Sequence, residues 1–120
     1  PPSKYTVATG AFLSGTGKVS TVEFAAGAGL RVDAGLTDLL ELSTAEFAGA
    51  GMIEVTGVPQ TDVENLQLKC AKITGPVTGA ANLANWTVKV DGVVRPNIAV
   101  RLSDDFLKAA VARGLFFVIQ

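Results

Sequence analysis

The stretch Phe47-Ala48-Gly49-Ala50-Gly51-Met52-Ile53-Glu54-Val55 sets an aromatic residue, two glycines one residue apart and a short apolar strand in a row. Phe24-Ala25-Ala26-Gly27-Ala28-Gly29-Leu30-Arg31-Val32 repeats that order, and Phe12-Leu13-Ser14-Gly15-Thr16-Gly17-Lys18-Val19 is a looser copy. Degenerate copies of one strand-turn-strand unit imply a solenoid, in which each coil covers the apolar face of the last. A corner of small residues suits such a coil, because the backbone turns sharply and successive corners stack closely.

The rest of the chain is punctuated in the same way. Alternating or β-branched character predicts strands over residues 5–8, 18–24, 30–32, 39–42, 52–56, 66–73 and 86–90, with glycines between most of them. Asp91-Gly92 lies between Trp86-Thr87-Val88-Lys89-Val90 and Val93-Val94-Arg95, a two-residue hairpin signal, and Pro96 ends the return strand. Residues 103–114 satisfy the rules for a helix: Ser103 as N-cap, Asp104 and Asp105 at the positive end, Arg113 at the negative end and Gly114 just beyond. The competing reading is a hairpin whose turn is Asp104-Asp105.

Ser14-Gly15-Thr16-Gly17-Lys18-Val19-Ser20 has the look of a phosphate-binding loop, but the pattern fails at fixed positions. Phe12 stands where the first glycine belongs, Val19 stands where a hydroxyl belongs, and the following residues form a strand pattern where a helix is required. The glycines are read as punctuation and no nucleotide or other cofactor is expected.

Composition narrows the chemistry further. The chain has 120 residues, suited to one domain with one modest core, and no histidine, which removes imidazole-based triads and histidine metal sites. Its single cysteine, Cys70, forbids an internal disulfide and falls on the face of Leu66 and Leu68, a buried apolar filler with no cation placed to activate it. Ten Lys and Arg against eleven Asp and Glu give a net charge of −1, scattered singly along the chain, with no footprint for nucleic acid or an anionic membrane. No apolar run approaches the roughly 20 residues of a membrane-spanning helix.

Carboxylate chemistry would have to draw on Asp104 and Asp105 and on the isolated Glu23, Glu41, Glu46 and Glu54. Sequence neighbours on a strand point to opposite faces, and a turn accounts for both aspartates, so a glycoside-cleaving pair is a remote alternative. The stretch Gly27-Ala28-Gly29-Leu30-Arg31-Val32-Asp33 lacks the aspartate that a calcium-binding β-roll needs. Trp86 shares a strand face with Val88 and Val90, which favours core packing over an exposed carbohydrate platform.

Leu115-Phe116-Phe117-Val118-Ile119 is continuously apolar, as in a closing strand over the coil stack or a strand that pairs with another copy. The first coil, near Tyr5 to Phe24, is expected to leave an open edge for such self-association.

Leu13 to Val19, Val22 to Leu30, Phe47 to Val55 and Arg113-Gly114-Leu115-Phe116-Phe117-Val118-Ile119 together resemble the C-terminal part of autotransporter-type β-strand-repeat passengers of bacteria. The resemblance spans roughly Val7 to Gln120 and implies a right-handed parallel β-helix, display or adhesion as the role, no cofactor, and a strand rather than a helix at residues 103–113. It carries no catalytic residue. The chain departs from that pattern by ending on Ile119-Gln120, without the aromatic terminus and long strand series of an outer-membrane barrel.

The expectation is therefore a single all-β domain over residues 1–120, with solenoid coils over about 1–80 and antiparallel hairpins over 81–120. An antiparallel β-sandwich is the alternative fold. The expected role is a non-catalytic structural or display segment of a secreted or cell-surface bacterial protein, self-associating through its ends, with no nucleic-acid partner and no membrane insertion of this segment. A sandwich-type assembly or binding subunit of a fibre, pilus-like structure or virion is the alternative. Pro1-Pro2-Ser3-Lys4-Tyr5 has neither a basic n-region nor an apolar h-region, so a removed signal and a piece of a longer protein are both expected.

Overall fold

Small-residue corners cut the chain into short strands. In the computed structural model, which describes residues 4–35 and 38–111, these are β1 (Lys4–Val7), β2 (Phe12–Leu13), β3 (Gly17–Phe24), β4 (Gly29–Asp33), β5 (Leu40–Phe47) and β6 (Met52–Thr56). There follow β7 (Gln67–Ile73), β8 (Val77–Thr78), β9 (Thr87–Val90), β10 (Val93–Val94), β11 (Ile98–Ser103) and β12 (Phe106–Val111). Short 3₁₀ segments, Gln60–Asn65 and Ala80–Asn85, lie between β6 and β7 and between β8 and β9. Among the described residues the fold is all-β, with two mixed sheets and no closed barrel.

From β1 to β7 successive strands alternate between the sheets. One sheet runs β1-β3-β5-β7-β12-β11, with β8 also on β5, and the other runs β10-β9-β6-β4-β2. The pairings along β1, β3, β5, β7 and β8 and along β2, β4, β6 and β9 are parallel. Partners are 17 residues apart between β1 and β3 (Lys4 opposite Thr21), 23 between β3 and β5 (Gly17 opposite Leu40) and 31 between β5 and β7 (Leu40 opposite Ala71). The step from 23 to 31 comes from the segment holding the 3₁₀ turn at Gln60–Asn65, which adds residues between β6 and β7.

The corner between the two sheets is built from backbone. Ala25 N–H donates to Val7 O and Ala48 N–H to Phe24 O, while Gly10 N–H donates to Gly27 O and Gly27 N–H to Ala50 O. Gly29 N–H, Met52 N–H and Thr87 N–H continue the ladder on Ala11, Ala28 and Gly51 carbonyls. Buried polar groups in a corner need partners, and here each turn supplies them to the next.

Side-chain size at these corners follows from the stacking. A Cβ on Gly51 would lie 2.5 Å from Trp86 Cε2 and 2.6 Å from Ala28 O, and one on Gly29 would lie 2.5 Å from Phe12 Cε1. Aromatic rings thus rest directly on glycine backbone. Inside, Phe24 and Phe47 stack at 5.4 Å between centroids, and Trp86 meets both edge-on at 5.7 and 5.5 Å, geometries that add about 0.5–1.5 kcal/mol per pair beyond burial. Trp86 Nε1–H donates to Gly49 O at 2.9 Å, so its polar edge is satisfied.

The repeat units are offset from their sequence alignment. Phe24 does lie opposite Phe47, but its neighbour on the other side is Val7, and Phe12 sits opposite Gly29 in the second sheet. The glycine pairs are also one position out of step, with Gly29 opposite Met52. Register is set by which side chains face inward, and the small-residue corners tolerate the slip.

The long strands β3 and β5 also bend. Val19 and Leu42 are directed into the core, and then Val22 and Ala45 are, so the inward alternation slips by one residue at the same level in both strands. In the next layer the strand breaks outright: β7 ends at Ile73 and β8 resumes at Val77, opposite Ala45.

The C-terminal part pairs in the opposite sense. β9 and β10 form a hairpin whose turn residues, Asp91 and Gly92, have φ of 47° and 88°, the left-handed pair that such a two-residue turn requires. β11 and β12 form a second hairpin around Asp104 and Asp105, with φ of 53° and 66°. The helix alternative over residues 103–113 is thereby corrected through Val111: Phe106–Val111 is a strand that lies antiparallel on both β11 and β7, with Leu107 and Ala109 buried at period two and Ala110 and Val111 buried after them.

Candidate functional site

The residues singled out from sequence are dispersed by the fold. Leu115, Phe116, Phe117, Val118 and Ile119, the expected self-association strand, lie outside the described residues. Lys18 stands exposed near the start of β3, not at a helix, so the SGTGKVS stretch forms no phosphate cradle. Trp86 is 4% exposed and belongs to the core.

Cys70 is the extra residue of a β-bulge. Opposite Leu107 and Lys108 of β12 stand Ala71 and Lys69, leaving Cys70 unpaired between them, so Cys70 and Ala71 are both buried. Burial pushes its thiol up to about 12, against a weaker lowering from a hydrogen bond with the Ala109 backbone. A thiol held protonated is no nucleophile at neutral pH.

A cleft of about 200 Å³ opens beside this bulge, lined by Leu30, Val32, Leu40, Leu68 and Cys70 together with exposed Asp33 and Asp38. It is smaller than the usual range for small-molecule sites, about 300–1,000 Å³. Among the described residues no group of three or more His, Cys, Asp and Glu is placed to hold a metal ion.

Of the carboxylates, Glu23 and Glu46 are brought side by side in register on β3 and β5. Both face Lys4, whose Nζ is 3.7 Å from Glu23 Oε1 and 3.2 Å from Glu46 Oε1. The hydrogen bond to Glu46, then the charges of Glu23 and Glu46, hold the Lys4 ammonium above its ordinary pKa. Arg31 pairs with Glu54 at 2.8 Å and covers the Phe12 ring at 4.8 Å. Asp91 accepts hydrogen bonds from Gly57 and Val58 N–H at 2.9 and 3.2 Å, tying the β9–β10 turn to the end of β6. Each of these acids has a structural partner.

The cations of β7, β11 and β12 are arranged differently. Lys69, Lys108 and Arg101 are scattered in sequence, but the antiparallel register sets Lys69 opposite Lys108 and Lys108 opposite Arg101. Lys72 lies in the adjoining row, opposite Phe106. No signal in the sequence marks this row, because it exists only once β12 has inserted between β7 and β11.

Two sheet edges are also notable. β1 and β2 are the terminal strands of their sheets, each paired on one side only among the described residues. Tyr5 on β1 is 45% exposed there.

Comparison with known proteins gives no relative: no family model, no curated protein and no solved structure matches the chain.

Proposed function

We propose that the chain is a segment of a right-handed parallel β-helix with C-terminal antiparallel hairpins, and that it serves as a non-catalytic structural and display element of a secreted or cell-surface bacterial protein. The observation that supports the reading most is the vertical repetition of one corner, Val7 to Gly10, Phe24 to Gly27 and Phe47 to Ala50, joined turn to turn by backbone hydrogen bonds. Parallel strands connected through a second sheet wind right-handed in nearly all proteins. Bent strands β3 and β5, and the break between β7 and β8, then divide each coil into three legs around a single apolar interior. Side chains on such a rod are spent on packing and on satisfying neighbours, as Glu23, Glu46, Glu54 and Asp91 are.

In this reading the β1 and β2 edge stacks on a second copy or on another coil, with Lys4 on the edge strand tempering indiscriminate pairing. Light scattering over a concentration series reads this contact. Growth of the apparent mass with concentration is expected, and a strict monomer at high concentration argues against it.

A second reading, a β-sandwich assembly or binding subunit, draws on the two facing sheets and the antiparallel pairings of β9 with β10 and of β12 with β7 and β11. The display role is tested with antibodies to the chain on cells that make the natural protein. Labelling of intact cells is the expected result; labelling only after permeabilisation contradicts it.

A further inference from the structure

We propose that the outward face of β7, β12 and β11 is a binding site for an acidic polysaccharide, whose carboxylate or sulfate groups lie along the row Lys69, Lys108, Arg101. The inference stands apart from the display reading, since it uses only the local register of three strands. Directly opposed residues on neighbouring strands hold their Cβ atoms about 4.5–5.5 Å apart, so the three positive groups rise from points spanning about 10 Å. Like charges placed in this way destabilise a sheet, and opposite charges in such pairs are the usual arrangement.

Among the described residues nothing neutralises the row. Among the described residues, Lys69, Lys108 and Arg101 take part in no ion pair; the ion pairs are those of Lys4 with Glu23 and Glu46 and of Arg31 with Glu54. Lys72 adds a fourth cation one row away, and Lys18 a fifth, on β3, beyond Glu41 of β5. The acids that border the site are Asp33 and Asp38, which line one cleft with Lys69, Glu41, opposite Lys72, and the turn residues Asp104 and Asp105 at the end of the hairpin. None of them forms an ion pair with the three-residue row among the described residues.

The surroundings favour a polysaccharide over a nucleic acid. Single-stranded nucleic acid bound without base readout is held by aromatic platforms as well as charge. Among the described residues the one ring on this face, Phe106, has Lys69 Nζ over it at 4.3 Å, and the other paired positions are Gln67, Ala99, Ser103 and the buried Ala110. What remains is a flat, short, repeating row of cations, which suits an extended chain bearing one anionic group per sugar or per second sugar.

The test is a fluorescence-anisotropy titration of the full chain against labelled polygalacturonate and labelled dextran sulfate, with neutral dextran and oligothymidylate alongside. It is run at about 20 mM and about 200 mM salt, where screening differs strongly. Binding to an acidic polysaccharide that weakens with salt is expected. A combined Lys69→Gln, Lys108→Gln, Arg101→Gln variant should lose about tenfold or more in affinity, Lys108→Gln alone about threefold, and Lys89→Gln on the other sheet less than about twofold. The combined variant should also melt higher than the parent at low salt, because its like-charge row is gone. Absence of polysaccharide binding by the parent, undiminished binding by Lys108→Gln, or tighter binding of oligothymidylate than of either polysaccharide would each overturn the proposal.

Discussion

Replacing Gly51 with alanine probes how closely the layers stack. The backbone at Gly51 is not in the left-handed region, so alanine fits its local conformation. On that ground alone the change would stabilise the protein by about 0.4–1 kcal/mol, by restricting the unfolded chain. The new methyl, however, would meet Trp86 Cε2 at 2.5 Å on one side and Ala28 O at 2.6 Å on the other. The Ala28 carbonyl is held by Met52 N–H, and the Trp86 ring by Gly49 O and by Phe24 and Phe47, so neither neighbour yields freely. Overpacking of this kind costs about 1–3 kcal/mol, which outweighs the entropic gain and leaves a net loss of about 1–2 kcal/mol. With an unfolding entropy of about 2.1 cal/mol/K per residue, a chain of this length loses about 4–8 °C in Tm. Circular-dichroism melts of parent and variant read the shift. An unchanged or higher Tm would refute the close stacking of Trp86, Gly51 and Ala28.

Two further outcomes follow from single groups. Cys70 should resist a thiol reagent at pH 8 in the native state and react at once in denaturant; rapid native labelling would contradict its burial. Because burial raises its pKa in the folded state to about 12, above the ordinary thiol value of 9.0, the native state binds more protons than the unfolded state between those values. The contribution of the neutral thiol to stability is therefore complete below about pH 9 and declines as pH rises toward 12, so denaturant midpoints of the parent should fall more steeply there than those of Cys70→Ala. Asp91→Ala removes the acceptor of two backbone N–H groups and puts alanine at φ 47°, which should cost about 1–3 kcal/mol, with Asp91→Asn closer to the parent. Equal melting of all three proteins would show that this turn does not hold the end of β6.

Much of the strand order was readable from local pattern, because it depends on short-range physics. Val22 and Phe24, Ile53 and Val55, and Val88 and Val90 alternate with polar residues, and each pair is buried on a strand. Asp91-Gly92 makes the hairpin its residues require, and the Asp104-Asp105 turn prevails over a helix because β12 is paired on both sides, with β11 and β7. The features that escaped detection are those set by long-range pairing. Phe12 has the same local surroundings as Phe24 and Phe47, yet it packs on Gly29 in the other sheet, since only pairing decides which layer a strand joins. The slips near Ser20 and Ser43 and the bulge at Cys70 each reverse the alternation inside what reads as one strand. The Lys69, Lys108, Arg101 row is assembled from residues far apart in sequence, and a net charge of −1 conceals it.

The parallel register of β3 on β5 is tested most directly by disulfide trapping. In a Cys70→Ala background, Glu23→Cys with Glu46→Cys sets two thiols on directly opposed residues of adjacent strands. Neighbouring strands lie about 4.8 Å apart, within the Cα separations of about 4.4–6.8 Å that a disulfide accepts. Glu23→Cys with Thr44→Cys displaces one thiol by two residues along the strand, beyond that reach. Near-complete intramolecular oxidation of the first pair and little of the second, read by mass spectrometry, is the expected result. Oxidation of the displaced pair in preference to the opposed one would contradict the stacking of Phe24 on Phe47 and the winding built on it.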